Sequence, residues 1–595
     1  MDNQNFKNMV LAGVLTLLIF VGWDWGMKYL YPNANKAPVP AASAPAPAAS
    51  ASTSPAHTRE GGLTDAADKA LEAKDLKTAL NPATRVAIAA PGLSGSINLI
   101  GGAVDDLTTN RHTAAVEQNS GPQRIFSPAG TPAQQFAEFG WRLPDGRADA
   151  ALPGPATQWA APQGAKLTPQ SPVTLSWTNP AGVTFKLTYA IDADYMLTVT
   201  QEVSNGGQAA LTAKPYALIA RTEKTASIDT WNVHAGPFGA FDDAVSFGPD
   251  YDEVTEAKQL TNPGKTDWIG FTDIYWMSAL VPDAKAQASS GFRALGGGLY
   301  RADLIYPDAA IGPGQSSAVS TRLFAGAKES SVLDKYEAAG IPKFGLAIDW
   351  GWFRWFEKPI FWLLKSLFGL VGNFGVAIML LTLIVRGVMF PVAQRQFASM
   401  AAVKAIQPKM KAIQERYKDD KQKQQEEIMA LYKKEGVNPL GGCLPILLQI
   451  PVFFALYKVL ILAVEMRHQP FALWIKDLSA PDPLHILNLF GYLDFTPPAF
   501  LGIGLLALLL GITMWLQFKL NPAQMDPAQQ QIMDLMPWLM MFIMAPFAAG
   551  LLIYWITSNV LTIAQQAYLY SKHPQLKAQA EKDTVDAERA KTRGK

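Results

Sequence analysis

Between residues 373 and 570 the chain carries several apolar runs of membrane-crossing length, and these restrict its fold more than any other feature. Inside hydrocarbon, a backbone must satisfy its own N–H and C=O groups, so such runs are expected to be helices. Candidate spans fall near 373–391, 440–462, 499–519, 532–548 and 550–570. The last two are short and meet at "APFAAG", which predicts a helical hairpin with a tight turn. Near the start, "MVLAGVLTLLIFVGWDWGMKYL" (9–30) is also long enough to span. A cleaved signal peptide is the alternative there, with Lys7 as its charged start. The run continues through Trp23, Trp25 and Tyr29, an interfacial anchor pattern, which favours an uncleaved membrane anchor. Six spans are then expected.

Loop charge sets the orientation. Residues 392–439 carry ten Lys/Arg against six Asp/Glu, and the tail from 571 carries seven against four. The loop at 463–498 has two basic residues, Arg467 and Lys476, and four acids. Basic loops stay in the cytoplasm, so both termini are expected inside and residues 31–350 outside. Within 392–439, Met400, Val403, Ile406, Met410, Ile413 and Tyr417 recur at helical steps, "KDDKQK" makes a polar tip, and "QQEEIMALYKKEG" returns. That pattern predicts a cytoplasmic helical hairpin, with Pro408 interrupting its first arm.

The outer segment reads differently. "NKAPVPAASAPAPAASASTSPAHTREGG" (35–62) is an extended tether rich in Pro, Ala and Ser. Beyond residue 80, "VTLSW" (173–177), "VTFKLTYAI" (183–191) and "YMLTVTQEV" (195–203) alternate apolar and polar residues between turn signals. "IYWMSALV" (274–281) and "YRADLIY" (300–306) continue the style, so an antiparallel β-sandwich is expected. Next, "WFRWFEKPIFWLLKSLFGL" (352–370) places Arg354, Glu357, Lys358 and Lys365 within about 100° of one another at the helical period. With aromatic and aliphatic residues elsewhere, this predicts an amphipathic helix lying in the membrane interface.

Several functions are disfavoured. The whole-chain net charge of +1 argues against nucleic acid as a general partner, and no DNA binding is expected. The lone cysteine, Cys443, permits no internal disulfide or cysteine-based zinc site. The six histidines include no i, i+3 or i, i+4 pair, so neither metal nor cofactor is expected. "NPGKT" (262–266) lacks the first glycine of a phosphate loop, since Gln259 occupies that place. No hydrolase or zincin motif occurs, and no enzymatic activity is expected.

One residue stands out within the spans. "GVAIMLLTLIVRGVMFP" (375–391) is almost wholly apolar until Arg386, about 20 Å into its helix from the outer side. Snorkelling toward the inner headgroups would be one explanation. Asp24 lies toward the outer end of the first span and Asp534 at the mouth of the fifth, and the spans at 440–462, 499–519 and 550–570 contain neither Asp nor Glu. They do offer Gln449, Thr513, Gln517, Thr557, Ser558, Asn559, Gln565 and Gln566, and Thr382 lies one turn before the arginine. Uncharged groups can hydrogen-bond between helices or hydrate a cavity but cannot neutralise a guanidinium. The expectation is a hydrated pocket, open to the cytoplasm, that attracts acidic groups of a visiting polypeptide.

"FGVAIMLLTLIVRGVMFPV", "VNPLGGCLPILLQIPVFFALY", "PFALWIKDLSAPDP" and "AGLLIYWITSNVLTIAQQ" closely resemble the YidC membrane protein insertase family. The resemblance covers nearly the whole chain and is specific over its C-terminal 240 residues. It implies a polytopic α-helical membrane protein with a large periplasmic sandwich, in the Gram-negative form of the family, located in the bacterial inner membrane. The parts would be an anchor at 1–30, a linker at 31–62, the sandwich at 63–345 and the interfacial helix at 346–371. A five-helix insertase core at 372–570, including the hairpin at 392–438, and a basic tail at 571–595 would complete it.

The resemblance also implies a function: binding hydrophobic segments of nascent membrane proteins and releasing them laterally into lipid, alone or with the Sec translocon. The groove arginine and threonine of the family match Arg386 and Thr382. A family tyrosine pair reads here Tyr554–Trp555, which keeps an aromatic contact but loses one hydroxyl. Gln449, Gln517 and Asn559 join them as expected groove residues, and Phe453, Phe454, Met540 and Met541 as an apolar slide. The basic hairpin and tail would meet a ribosome or anionic lipid. "NLFGYLDFTPPAF" departs from the family pattern as an insertion before the fourth span. A secondary transporter with a periplasmic sensor is the alternative, but it would want inverted repeats and a coupling acid at mid-membrane. A carbohydrate-binding sandwich that is merely anchored would leave the further spans unexplained.

Overall fold

The computed structural model describes residues 57–145, 152–229, 233–418, 420–436, 444–493, 502–520 and 527–572. The expected anchor, most of the linker and nearly all of the basic tail lie outside the described residues.

Two sheets form the outer segment. In the larger, the strands run in the order Gln259–Asn262, Ser289–Gly296, Leu299–Ile305, Leu211–Thr222, Gln135–Arg142, Val104–Thr113, Leu93–Asn98, Arg85–Ala89, Lys166–Leu167. Ala309–Ile311 and Pro122–Phe126 pair off this path. The smaller runs Ala244–Phe247, Gly236–Phe241, Thr266–Thr272, Trp276–Val281, Ser316–Ala327, Met196–Asn205, Val183–Ile191, Val173–Thr178. Pairing is antiparallel as expected, apart from the short parallel contact of Arg85–Ala89 with Lys166–Leu167. Along Val183–Ile191 every second residue is buried, so sequence alternation becomes one core face and one outer face.

The sheets meet through aromatic residues. Trp141 packs edge-on to Phe185 at 5.1 Å, Phe139 to Tyr189 at 6.5 Å, and Phe292 to Phe271 at 6.2 Å. Each such buried side chain contributes roughly 1.5–3 kcal/mol by leaving water. Polar crossings accompany them: Gln201 Nε2 donates to the Gly140 carbonyl (2.7 Å) and Gln135 Nε2 to Ser278 Oγ (3.0 Å).

Among the described residues three helices decorate the sandwich: α1 (Ala66–Ala79), α2 (Tyr251–Ala257) and α3 (Ser330–Ala338). Asp65 caps α1 by accepting from the Ala67 and Asp68 amides. Thr266–Thr272 and Trp276–Val281 are buried at every position, because a second layer covers their outer face. Phe344 packs against Trp268 (5.7 Å) and Phe324 (5.4 Å), and Trp268 Nε1 donates to the Pro342 carbonyl at 3.1 Å.

The remaining elements are α4 (Arg354–Val371), α5 (Phe374–Ala405), α6 (Gln407–Arg416), α7 (Lys421–Lys434), α8 (Leu444–Leu462), α9 (Leu505–Leu520), α10 (Pro527–Met544) and α11 (Ala549–Lys572). Gly372 ends α4 in the left-handed region (φ 67°), with its amide donating to the Phe368 carbonyl at 2.7 Å. Asn373 then starts α5 by accepting from the Val376 amide. Phe368 stacks on Phe374 at 3.9 Å across the corner. Among the described residues, only Phe374–Gln394 is both long and apolar enough to cross a bilayer. Gln449–Leu462, Leu505–Lys519 and Asp534–Met544 are shorter apolar helices. The fourth expected span begins at Leu505 rather than 499; residues 502–504 precede it without helical structure.

Helix α4, expected to lie in the membrane interface, departs from its expected charge pattern. Glu357 does not lie with Arg354 on the open side. It is fully buried, on the stripe of Ile360, Phe361, Leu364 and Leu367 that packs inward. A helical wheel groups neighbours but does not say which flank the protein covers. The outward face instead shows Trp355, Trp362 and Leu370, each more than half exposed. The break expected at Pro408 is present, with α5 ending at Ala405 and the proline in the first turn of α6. α6 and α7 form an antiparallel pair, with Lys409 Nζ 2.7 Å from Glu435 and Gln424 Nε2 donating to the Gln414 carbonyl.

Candidate functional site

Arg386 lies three turns into α5 and is half-buried. Its Nε donates to Ser558 Oγ on α11 at 3.1 Å, and Nη2 reaches the same oxygen. Ser558 is 2% exposed, so this contact is interior. Among the described residues no carboxylate pairs with Arg386, which leaves a guanidinium whose nearest acceptor is a neutral hydroxyl.

α11 organises the site because its polar residues point to different neighbours. Tyr554 lies one turn before Ser558 and is 1% exposed. Its hydroxyl accepts from Gln449 Nε2 on α8. Asn559, beside Ser558, donates through Nδ2 to Thr513 Oγ1 on α9 at 3.2 Å. One helix thus binds α5, α8 and α9 through successive polar groups. Thr382, one turn before Arg386, is buried and its hydroxyl donates back to the Ile378 carbonyl at 2.7 Å. Gln517 lies one turn beyond Thr513. The Oε1 atoms of Gln449, Gln517 and Gln566 are buried and have no hydrogen-bond partner among the described residues.

The start of α11 is tightly set. A Cβ at Gly550 would lie 2.8 Å from Leu460 Cδ2 and 3.1 Å from the Leu478 carbonyl oxygen. That close approach fixes α11 against α8 and the loop at 463–482. Asp482 closes the loop, accepting from Trp474 Nε1 (2.9 Å) and the Leu484 amide (3.0 Å) through Oδ1, and from the Leu506 amide (2.7 Å) through Oδ2 at the start of α9.

The expected slide residues separate. Phe453 is half-buried and meets Trp555 edge-on at 5.2 Å, joining α8 to α11. Phe454 turns instead toward Phe353 (6.5 Å) and Tyr457 (6.3 Å). Met540 is half-buried, whereas Met541 is buried against α9 with Ala507 and Ala545. The exposed apolar stripe of α10 is Leu535, Trp538, Leu539, Phe542 and Ile543, at three- and four-residue steps. Sequence inspection passed over this stripe, although its spacing was available. It also left Ser558 among general polar residues without singling it out as the partner of Arg386.

The outer domain grips the membrane segment through two arginines. Arg467 pairs with Glu60 and donates to the Thr113 (2.7 Å) and Ala114 (3.2 Å) carbonyls. Its guanidinium also lies 5.1 Å from the Trp276 ring. Arg59 donates to the Ser479 carbonyl and to those of Leu460 (2.9 Å) and Ile461 (3.2 Å). Glu465 accepts from Lys365 on α4 and from the Ser330 amide at the start of α3, both at 3.3 Å. Burial pushes the Glu465 carboxyl above its ordinary range.

Comparison with known proteins identifies the family. Residues 85–363 match the family model described as "YidC periplasmic domain", and residues 366–577 match "60Kd inner membrane protein". "Membrane protein insertase YidC" of Zymomonas mobilis subsp. mobilis is 41% identical over 584 residues, covering 96% of each chain. The protein of the same name from Rhizobium johnstonii is 42% identical over 582 residues, again covering 96% of each chain. A solved structure, "Active YidC insertase crystal structure with the first transmembrane domain resolved", is 19% identical, with a TM-score of 0.35, covering 82% of this chain and 92% of that one. With its sandwich, its helical segment and relatives aligned along nearly its full length, the chain belongs to the YidC family of inner-membrane protein insertases.

Proposed function

We propose that this insertase receives its clients in a groove bounded by α5, α8, α9 and α11, with Arg386 as an electrostatic receptor. The observation that carries the reading is the Arg386–Ser558 contact, which gives the guanidinium a neutral partner and leaves its charge available. The buried, unpaired acceptors of Gln449, Gln517 and Gln566 support a hydrated groove. Each would cost about 1–3 kcal/mol if nothing donated to it.

Six spans place both termini and the α6–α7 hairpin in the cytoplasm and the sandwich in the periplasm. Acidic residues in the polar tail of a client rest on Arg386 while the tail crosses. Tyr554, Trp555, Gln449, Gln517, Asn559 and Thr382 line its route. The apolar segment then leaves along Phe453, Met540 and the exposed α10 stripe into lipid. Phe454 and Met541 support that route from behind. The Sec translocon acts as a partner for larger clients, and the basic hairpin and tail meet the ribosome or anionic lipid. No observation favours a transporter.

Photo-crosslinking tests the route. A photoreactive phenylalanine analogue at Gln517 or Trp555 is expected to capture a ribosome-bound single-span client, while one at Val388, 76% exposed, is not. Capture at Val388 with none at Gln517 or Trp555 would place the client on the opposite side of α5 and refute the groove.

A further inference from the structure

His234 sits just before the strand Gly236–Phe241, which lies beside the edge strand Ala244–Phe247 of the smaller sheet. Its side chain is only 9% exposed. The ring packs edge-on to Phe247 at 6.4 Å, and a Cβ at Gly236 would lie 3.3 Å from its Cε1. The imidazole is therefore held in one orientation. Nε2 lies 2.8 Å from the Pro237 carbonyl oxygen. A carbonyl only accepts, so Nε2 carries the proton and the lone pair of a neutral ring is on Nδ1.

That lone pair faces two further acceptors. Asp229 Oδ2 is 3.4 Å from Nδ1 and Asp250 Oδ1 is 3.8 Å away. Three lone-pair donors converging on one point repel unless a positive species lies between them. A proton on Nδ1 serves one carboxylate at a time, best at about 2.7–2.9 Å, whereas Asp229 and Asp250 both face this nitrogen from farther out. Ligands around a tetrahedral zinc ion at about 2.0–2.2 Å are spaced about 3.3–3.6 Å apart, which the 3.4 Å separation from Asp229 matches and the 3.8 Å separation from Asp250 slightly exceeds. All three ligand atoms lie within 4.8 Å of one another. Donation of the second ring nitrogen to a backbone carbonyl is how metal-bound histidines are usually oriented. Asp252 and Glu253, in the first turn of α2, deepen the negative field. Both aspartates are partly exposed, so an ion can enter and keep water as a fourth ligand.

We propose that Asp229, His234 and Asp250 bind a divalent transition-metal ion of the zinc type on the periplasmic sandwich. One imidazole with two carboxylates suits such an ion better than calcium or magnesium, which take oxygen ligands alone. The ion ties Asp229 and His234 to the start of α2 and stabilises the fold there. A second cluster, Glu60, His468 and Asp477, has comparable spacing but differs in charge, because Arg467 already pairs with Glu60 there.

The test uses untagged full-length protein in detergent, stripped with chelator. Co2+ is titrated while its visible absorption is followed, and Zn2+ is then added as competitor. One saturable site per chain is expected in the wild type and none in His234→Ala. Asp250→Asn is expected to weaken binding by more than about tenfold, and His468→Ala to leave it unchanged. Zn2+ is also expected to raise the unfolding temperature of the wild type but not of His234→Ala. If His234→Ala is unstable, Asp229→Asn together with Asp250→Asn decides the matter. Failure of the wild type to take up either ion, or undiminished uptake by these variants, would overturn the proposal.

Discussion

Replacing Glu357 by glutamine is expected to stabilise the protein at alkaline pH and not at acidic pH. Glu357 is fully buried, and neither carboxylate oxygen has a hydrogen-bond partner among the described residues. Burial raises its pKa to about 7, against the opposing pull of Lys458 and with help from the charge of Asp349. The folded chain therefore holds this proton more tightly than the unfolded chain. Its contribution is fully present below the ordinary value of 4.5 and is lost as pH rises through about 7. At about 1.4 kcal/mol per pKa unit, the loss is on the order of 3 kcal/mol. Glutamine removes the charge but leaves an unpaired amide costing about 1 kcal/mol, so a gain of about 2 kcal/mol is expected at pH 8. Thermal unfolding of the full chain in detergent, wild type against Glu357→Gln, at about pH 5 and pH 8 measures it. Parallel pH profiles for the two proteins would refute the reasoning.

Two further substitutions probe how the sandwich and helices are joined. Arg467→Ala removes an ion pair, two carbonyl contacts and an aromatic contact, and is expected to cost about 2–4 kcal/mol; limited proteolysis should then release the sandwich, and an unchanged digestion pattern would show that the joint lies elsewhere. Gly550→Val forces a side chain onto Leu460 and the Leu478 carbonyl, and is expected to cost about 1–3 kcal/mol in thermal unfolding while leaving the isolated sandwich signal unchanged.

The strands at 173–191 could be read from sequence because each has one wet and one dry face, which alternation reports directly. Thr266–Thr272 carries no such signal. The segment at 330–350 covers its outer face, and no local pattern announces that contact. Glu357 was grouped correctly with its helical neighbours but assigned to the wrong flank, since packing of α4 on α5 and α8 decides which side is closed. Arg386 was conspicuous because a charge in an apolar run is rare. Its partner Ser558 was one hydroxyl among many, 172 residues away. Arg59 and Arg467, which clamp the outer domain, look like ordinary loop cations until the fold brings carbonyls to them. His234 and its two aspartates escaped a search for helical histidine spacing because they are not on one helix: Asp250 caps α2, and His234 precedes the strand Gly236–Phe241.

The role of Arg386 as a receptor is tested most directly by insertion of a single-span client with an acidic outer tail into vesicles containing the wild type, Arg386→Lys or Arg386→Ala. Lysine keeps the charge without the forked geometry, and alanine removes both. Insertion is expected to persist with lysine and to fall by at least about tenfold with alanine, a rise of about 1.4 kcal/mol or more in the barrier. Replacing the acidic residues of the client should remove that difference. If the alanine variant inserts the acidic client as well as the wild type does, Arg386 is no receptor, and transfer must rest on the apolar faces alone.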